Sequence, residues 1–213
     1  ALEEKMTSQT QRTLFVGGYA PADQPGIHAF DFDDVTGELT PRGSFTGVAN
    51  PSFLVLHPNG RWLYAVSETG LGDSGSHGAV GAFQITGGSS ILQPINQYQS
   101  THGDWPCHLQ IDGTGRWVLA SNYGSGDVVV LPILEDGGLG EMSAFVQHAG
   151  HGPNPARQEG PHAHSTTITP DNRFAIVADL GIDQLVIYAF DEKSGQLRQH
   201  ALTHTRPGAG PRH

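Results

Sequence analysis

The chain has 213 residues, with 29 Gly, 14 Pro, 15% charged side chains and a formal net charge of −10. That length allows one substantial core or two small ones. The acidic balance excludes a general nucleic-acid binder, which carries a basic face. Regular apolar β-runs exclude a disordered chain. No apolar run has the length of a membrane span, so neither nucleic acid nor membrane is expected as a partner.

The first segment, ALEEKMTSQTQR, is polar and lacks the apolar region of a signal peptide. Met6 reads as a start, and residues 1–12 as a tag or disordered N-terminus ahead of a domain over 13–213. Strands are predicted at 14–20 (LFVGGYA), 26–32 and 38–45. They read as an incomplete first blade, 13–49, lacking an innermost strand.

Three stretches then share one frame: NPSFLVLHPNGRWLYAVSE (50–68), WPCHLQIDGTGRWVLASNY (105–123) and AHSTTITPDNRFAIVADLG (163–181). Each is a β-run, a tight turn ending in Arg, and a second β-run. Arg61, Arg116 and Arg173 set the phase, at spacings of 55 and 57 residues. The first full repeat gives strands at 52–57, 62–67, 79–85 and 91–99. The second gives 107–112, 117–122, 127–133 and 139–147, and the third gives 164–169, 173–178, 184–190 and 196–203. Turns are predicted at 57–61, 112–116 and 169–173, where Pro, Asn, Asp and Gly supply turn chemistry. No helix longer than two turns is expected in 50–205.

Four antiparallel strands per repeat of roughly 50 residues is the unit of a β-propeller blade. The predicted fold is therefore all-β, with full blades at about 50–104, 105–160 and 161–209. A fifth blade begins at 210–213, so the chain carries an incomplete first blade, three full blades and the start of another, about four in all. A β-sandwich or irregular solenoid of the same hairpins is the alternative.

Aligned on the arginines, Ser52, Cys107, His164 and Arg212 are equivalent. All four fall at the start of an innermost strand, where a propeller has the mouth of its central channel. The opposite hairpin ends, Glu68, Tyr123 and Leu180, fall at the same mouth. Structural positions of a repeat should look alike, and these do not. The long polar segment HAGHGPNPARQEGPHAH (148–164) suits a lid over that mouth. It brings His148, His151, Arg157, Gln158, Glu159 and His162. Candidate substrate-binding residues are Arg157, Gln158, His162, Glu68, Cys107 and Ser52. His162 and His164 lack a third ligand at metal spacing, and no phosphate loop or nucleophile elbow is present. No metal or cofactor is expected. Cys107 is the single cysteine, so no internal disulfide is possible, which fits a reducing, cytoplasmic location.

GPHAHSTTITPDNRFAIVADLGIDQLVIY (160–188) and PGAGPRH (207–213), with LFVGGYA and NPSFLVLHPNGRWLYAVSE, resemble the seven-bladed propeller lactonase family. The family includes bacterial 6-phosphogluconolactonases and fungal carboxymuconate-lactonizing enzymes. The resemblance implies a catalytic His at His164 and a catalytic Arg at Arg212. It also implies a Glu that would fall beyond residue 213. Glu68 holds the same repeat position in another blade, and the catalytic role is not transferred to it. The implied function is a lactonase opening a sugar-phosphate lactone, with a cycloisomerase or a non-catalytic binding platform as alternatives. The expected partners are a small anionic or sugar-lactone substrate and the remainder of the propeller, or a second chain completing it. The 213 residues alone are expected to be inactive.

Overall fold

The computed structural model of the protein describes residues 12–87 and 90–213. The expected tag lies outside the described residues except for Arg12, which already belongs to the first strand. That sheet has three antiparallel strands: β1 (Arg12–Gly17), β2 (Pro25–Phe32) and β3 (Leu39–Thr46). β1 stops at Gly17 rather than continuing to 20. The Pro51 carbonyl there fills the space a Cβ would need.

The second sheet holds β4 (Leu54–Leu56), β5 (Trp62–Ser67), β6 (Ala79–Ile85), β7 (Leu92–Pro94) and β8 (Gln99–Ser100). A single helical turn, α1 (Leu71–Ser74), sits between β5 and β6. The strand expected over 91–99 is split in two. Pro94 has no N–H to continue the ladder, and both pieces pair with β6.

The third sheet runs β9 (Pro106–Ile111), β10 (Trp117–Asn122), β11 (Asp127–Pro132) and β12 (Ala144–Gln147). The strand expected over 139–147 is shortened, since Leu139 makes only an isolated bridge to Ile133. The fourth sheet is β13 (Ala163–Ile168), β14 (Phe174–Asp179), β15 (Gln184–Asp191) and β16 (Gln196–His204). All pairings are antiparallel between chain neighbours, apart from the β6–β8 contact.

The inner strands read as continuous apolar runs because both faces of their sheets are covered. WLYAVS of β5 and DVVVLP of β11 are buried along almost their whole length. Three apolar clusters join successive sheets. Ile27, Ala29, Leu63 and Phe83 bind the first to the second. Tyr64, Val66, Leu109 and Val118 bind the second to the third. Leu119, Val128, Ala175 and Val177 bind the third to the fourth.

The hairpin turns fall at 57–61, 112–116 and 169–173, as the spacing predicts. Gly60, Gly115 and Asn172 occupy one repeat position, with φ of 70°, 71° and 59°. Glycine and asparagine tolerate that left-handed region. The turns are also tied to one another. His57 Nε2–H donates to the Gly115 carbonyl at 2.9 Å, and the Gly113 N–H donates to Asn172 Oδ1 at 2.7 Å. Asn172 Nδ2 donates to Asp112 Oδ2 at 3.0 Å.

Asp112 also accepts from the backbone N–H groups of Thr114, Arg116 and Trp117. Burial opposes its charge, but these donors together with the Thr114 hydroxyl outweigh it and hold the carboxyl below the usual range. Asp112→Ala strands those donors and is expected to lower unfolding stability by about 1–3 kcal/mol in a denaturant titration. The Asp112 contribution is present above the ordinary carboxyl pKa and is lost as pH falls through the depressed one. The difference between wild type and variant should therefore shrink in acid.

Candidate functional site

The inner hairpins return both their ends to the side opposite the turns, where the predicted ring residues gather. Two features of the backbone aim them. First, Cys107 and His164 are each the extra residue of a β-bulge. Asn122 pairs with Pro106 and Ser121 with His108, which skips Cys107. Asp179 pairs with Ala163 and Ala178 with Ser165, which skips His164. A bulge leaves its extra residue unpaired and redirects the side chain. Second, the residue two before Ser52, Cys107 and Arg212 has positive φ: 47° at Asn50, 55° at Trp105 and 56° at Gly210. Each precedes a proline, which turns the chain sharply into the ring.

Arg212 Nη1 lies 3.0 Å from His164 Nε2. A guanidinium cannot accept a hydrogen bond, so Arg212 donates and the imidazole is neutral with a lone pair on Nε2. The electrostatics agree. Burial lowers the His164 pKa, and the charges of Arg212 and His213 lower it further. His164 Nδ1 is buried and has no hydrogen-bond partner among the described residues. Beside it, Cys107 Sγ donates to the His164 carbonyl at 3.4 Å. Burial and the nearby Glu68 push the Cys107 thiol up to about 12, so it is protonated at neutral pH and is not a nucleophile. The exposed His213 ring is 5.3 Å from His164 and 5.8 Å from His108. Burial drives His108 down to about 4.

Ser52 belongs to a separate polar group. Its hydroxyl donates to Glu68, and Tyr19 OH reaches both Glu68 oxygens at 3.1 and 3.0 Å. Burial raises the Glu68 pKa.

The 148–162 segment is a fixed wall rather than the expected lid. His148 Nδ1 meets Asp179 Oδ2 at 2.6 Å, with both side chains at most 2% exposed. Gln158 is buried and donates to the Leu180 carbonyl at 2.8 Å, while its own oxygen accepts from the Asn154 N–H. His162 stacks on Tyr123 at 4.6 Å, donates from Nδ1 to the Tyr123 carbonyl, and meets Glu159 through Nε2. Gln158 and His162 thus spend their polar groups on holding the loop. Arg157 Nη2 donates to Tyr123 OH at 3.2 Å. Tyr123 also stands edge-on to His164 at 6.1 Å.

Between this wall and the 208–212 segment lies a cavity of about 390 Å³. Asn154, Arg157, Gln158, Leu180, Gly210 and Arg212 line it. Asp183 shapes the far side by accepting from the Gly208 and Gly210 N–H groups at 2.6 and 2.8 Å. Among the described residues neither guanidinium forms a salt bridge. Two unpaired cations facing one cavity in a chain of net charge −10 suit an anionic group. Ser52, Glu68, Cys107, His162 and His164 do not line this cavity, and His164 meets it through its contact with Arg212. Tyr123 was legible only as the occupant of the Glu68 position, and Trp105 carried no signal in the sequence.

The family model described as "Lactonase, 7-bladed beta-propeller" matches residues 13–213. The chain belongs to this family. A 6-phosphogluconolactonase of Bacillus subtilis is 35% identical over 199 residues, covering 93% of this chain and 54% of the relative. A Bacteroides fragilis protein of known structure is 32% identical, with a TM-score of 0.86 over 99% of this chain and 59% of that one. A periplasmic gluconolactonase of Pseudomonas aeruginosa is 30% identical, with a TM-score of 0.83 over 94% of this chain and 57% of that one. The chain thus spans little more than half the length of these relatives.

The His164–Arg212 contact has a measurable consequence. In an NMR titration His164 should protonate below the ordinary histidine value of about 6.5. The neutral form persists as pH falls because burial disfavours the imidazolium and because protonation places a second cation beside Arg212. Arg212→Gln removes that repulsion and should move the midpoint up.

Proposed function

We propose that this site belongs to an enzyme that hydrolyses a sugar lactone, of the 6-phosphogluconolactonase type. The observation that carries the reading is the neutral His164 imidazole held by Arg212 at the edge of a cavity with a second guanidinium, Arg157. The names of the relatives support the same chemistry.

Lactone hydrolysis needs water to attack the acyl carbon while negative charge grows on the carbonyl oxygen. Substrate binding draws the Arg212 guanidinium onto that oxygen, where preorganised positive charge acts most strongly on the transition state. His164 Nε2 is thereby released as a base and takes the proton of the attacking water. Collapse of the tetrahedral intermediate breaks the bond from the acyl carbon to the ring oxygen. The imidazolium returns its proton to that oxygen, and the product is the open-chain hydroxy acid. Arg157 holds an anionic substituent at the far side of the cavity, anchored in place by Tyr123 OH. Cys107, kept as a thiol, takes no covalent part.

In the full-length protein, His164→Ala and Arg212→Ala are each expected to lower kcat/KM for 6-phosphogluconolactone by roughly 100-fold or more, with unchanged circular dichroism. Near-normal turnover by both variants would reject the assignment. Wild-type activity should fall in acid as His164 becomes protonated.

A further inference from the structure

The segment that delivers Arg212 to His164 hangs on one residue. β16 ends at His204, and residues 205–213 join no sheet. Residues 206–209 are exposed, so burial does not fix them. The Thr205 N–H and hydroxyl donate to the Asp183 carbonyl at 2.8 and 3.1 Å. The Gly208 N–H donates to Asp183 Oδ2 at 2.6 Å, and the Gly210 N–H to Asp183 Oδ1 at 2.8 Å. The Ala209 N–H stays within the segment, on the Arg206 carbonyl. Among the described residues, every hydrogen bond that leaves 205–211 therefore ends on Asp183. The next outward contact is that of Arg212 with His164.

The fold itself does not ask for a carboxylate at this point. Asp183 stands just ahead of β15 with φ of 54°. The equivalent residue ahead of β11 is Gly126, with φ of 69°. The repeat needs left-handed backbone there, which glycine supplies without any side chain. The carboxylate is an addition, and it is buried, with 5% of the residue exposed. Burial opposes its charge, but the Gly210 and Gly208 N–H groups and the Gln158 amide outweigh it and hold the carboxyl below the usual range. At neutral pH it can therefore only accept hydrogen bonds. Gln158 is the chain neighbour of Arg157 on the opposite wall of the cavity.

We propose that Asp183 is a positioning residue for Arg212: its two oxygens pin the 208–210 turn so that the guanidinium stands against His164 Nε2. Its effect on turnover rests on the lactonase reading above. Gly208 and Gly210 have φ of 77° and 56°, and glycine has many other backbone states open to it. Pinned at two points by one planar carboxylate, the turn keeps a single shape. Released, it is free to swing Arg212 away from the imidazole. Asp183 touches no substrate and moves no proton. It acts through the place it gives the guanidinium, and a displacement of about 1 Å at a reacting group can cost on the order of 100-fold in rate.

Two variants of the full-length protein test this. Asp183→Gly keeps the backbone that Gly126 shows at the equivalent position, and Asp183→Asn keeps one accepting oxygen. Both should retain wild-type circular dichroism. Asp183→Gly should lower kcat for 6-phosphogluconolactone by about 10- to 100-fold, and Asp183→Asn by less. An NMR titration of His164 separates positioning from plain electrostatics. Removing a nearby negative charge by itself lowers a histidine midpoint. Loosening Arg212 raises it, so Asp183→Gly should move His164 up, toward the midpoint of Arg212→Gln. In the Arg212→Gln background Asp183→Gly should raise it no further, the non-additivity of residues that act through one another. A His164 midpoint that stays or falls, a rise that persists in the Arg212→Gln background, or unfolding of both variants overturns the positioning role. The titration does not depend on turnover. Wild type without lactonase activity, but with the coupled His164 shift, removes the lactonase reading and leaves the positioning role standing.

Discussion

The middle sheets of this protein carry apolar side chains on both faces, and only another sheet can cover such a face. Tyr64 and Val66 must find Leu109 and Val118, and Leu119 and Val128 must find Ala175 and Val177. Each middle sheet therefore packs between two neighbours, as in other repeat architectures. Once the sheets stack, their innermost strands are brought side by side. The ends of those strands then meet at one place, whatever residues they carry. The site is a by-product of that packing, and the residues at the strand ends are free to differ because they hold up no core.

Two local devices turn this convergence into a chemical arrangement. The bulges at Cys107 and His164 take one residue per strand out of the ladder and aim it at its neighbour in the next blade. The positive φ before Pro106 and Pro211 sets the angle at which the chain enters the ring. Without these, alternation along the strand would decide where the side chains point. With them, His164 meets Arg212 across a blade boundary.

Charge is distributed on the same principle of local exception. The chain is acidic overall, yet the cavity is walled by two guanidiniums, Arg157 and Arg212, neither of which forms a salt bridge among the described residues. Glu159 is occupied by His162, Asp179 by His148, and Asp183 by backbone N–H groups of the 208–210 turn. The carboxylates near the site are spent on shaping its loops, and the arginines keep their charge available for a ligand.

The sequence by itself determined the strands, the turns and their phase. Apolar runs of strand length, and Gly or Asn ahead of Arg61, Arg116 and Arg173, are local signals, readable because a turn of fixed length needs particular backbone angles. Phase alone then brought Ser52, Cys107, His164 and Arg212 to one end, and motif resemblance singled out His164 and Arg212. Only the tertiary structure decided which of these touch. Ser52 turned to Glu68, and His162 and Gln158 became anchors of a wall because Tyr123 and Leu180 of neighbouring segments accept their hydrogen bonds. The bulges, the strained Trp105 and the buried His148–Asp179 pair left no mark in the chain. The bulges are set by the register within one hairpin, whereas Trp105 and His148 depend on Asp73 and Asp179, which are 32 and 31 residues away and which no periodicity of a single strand displays.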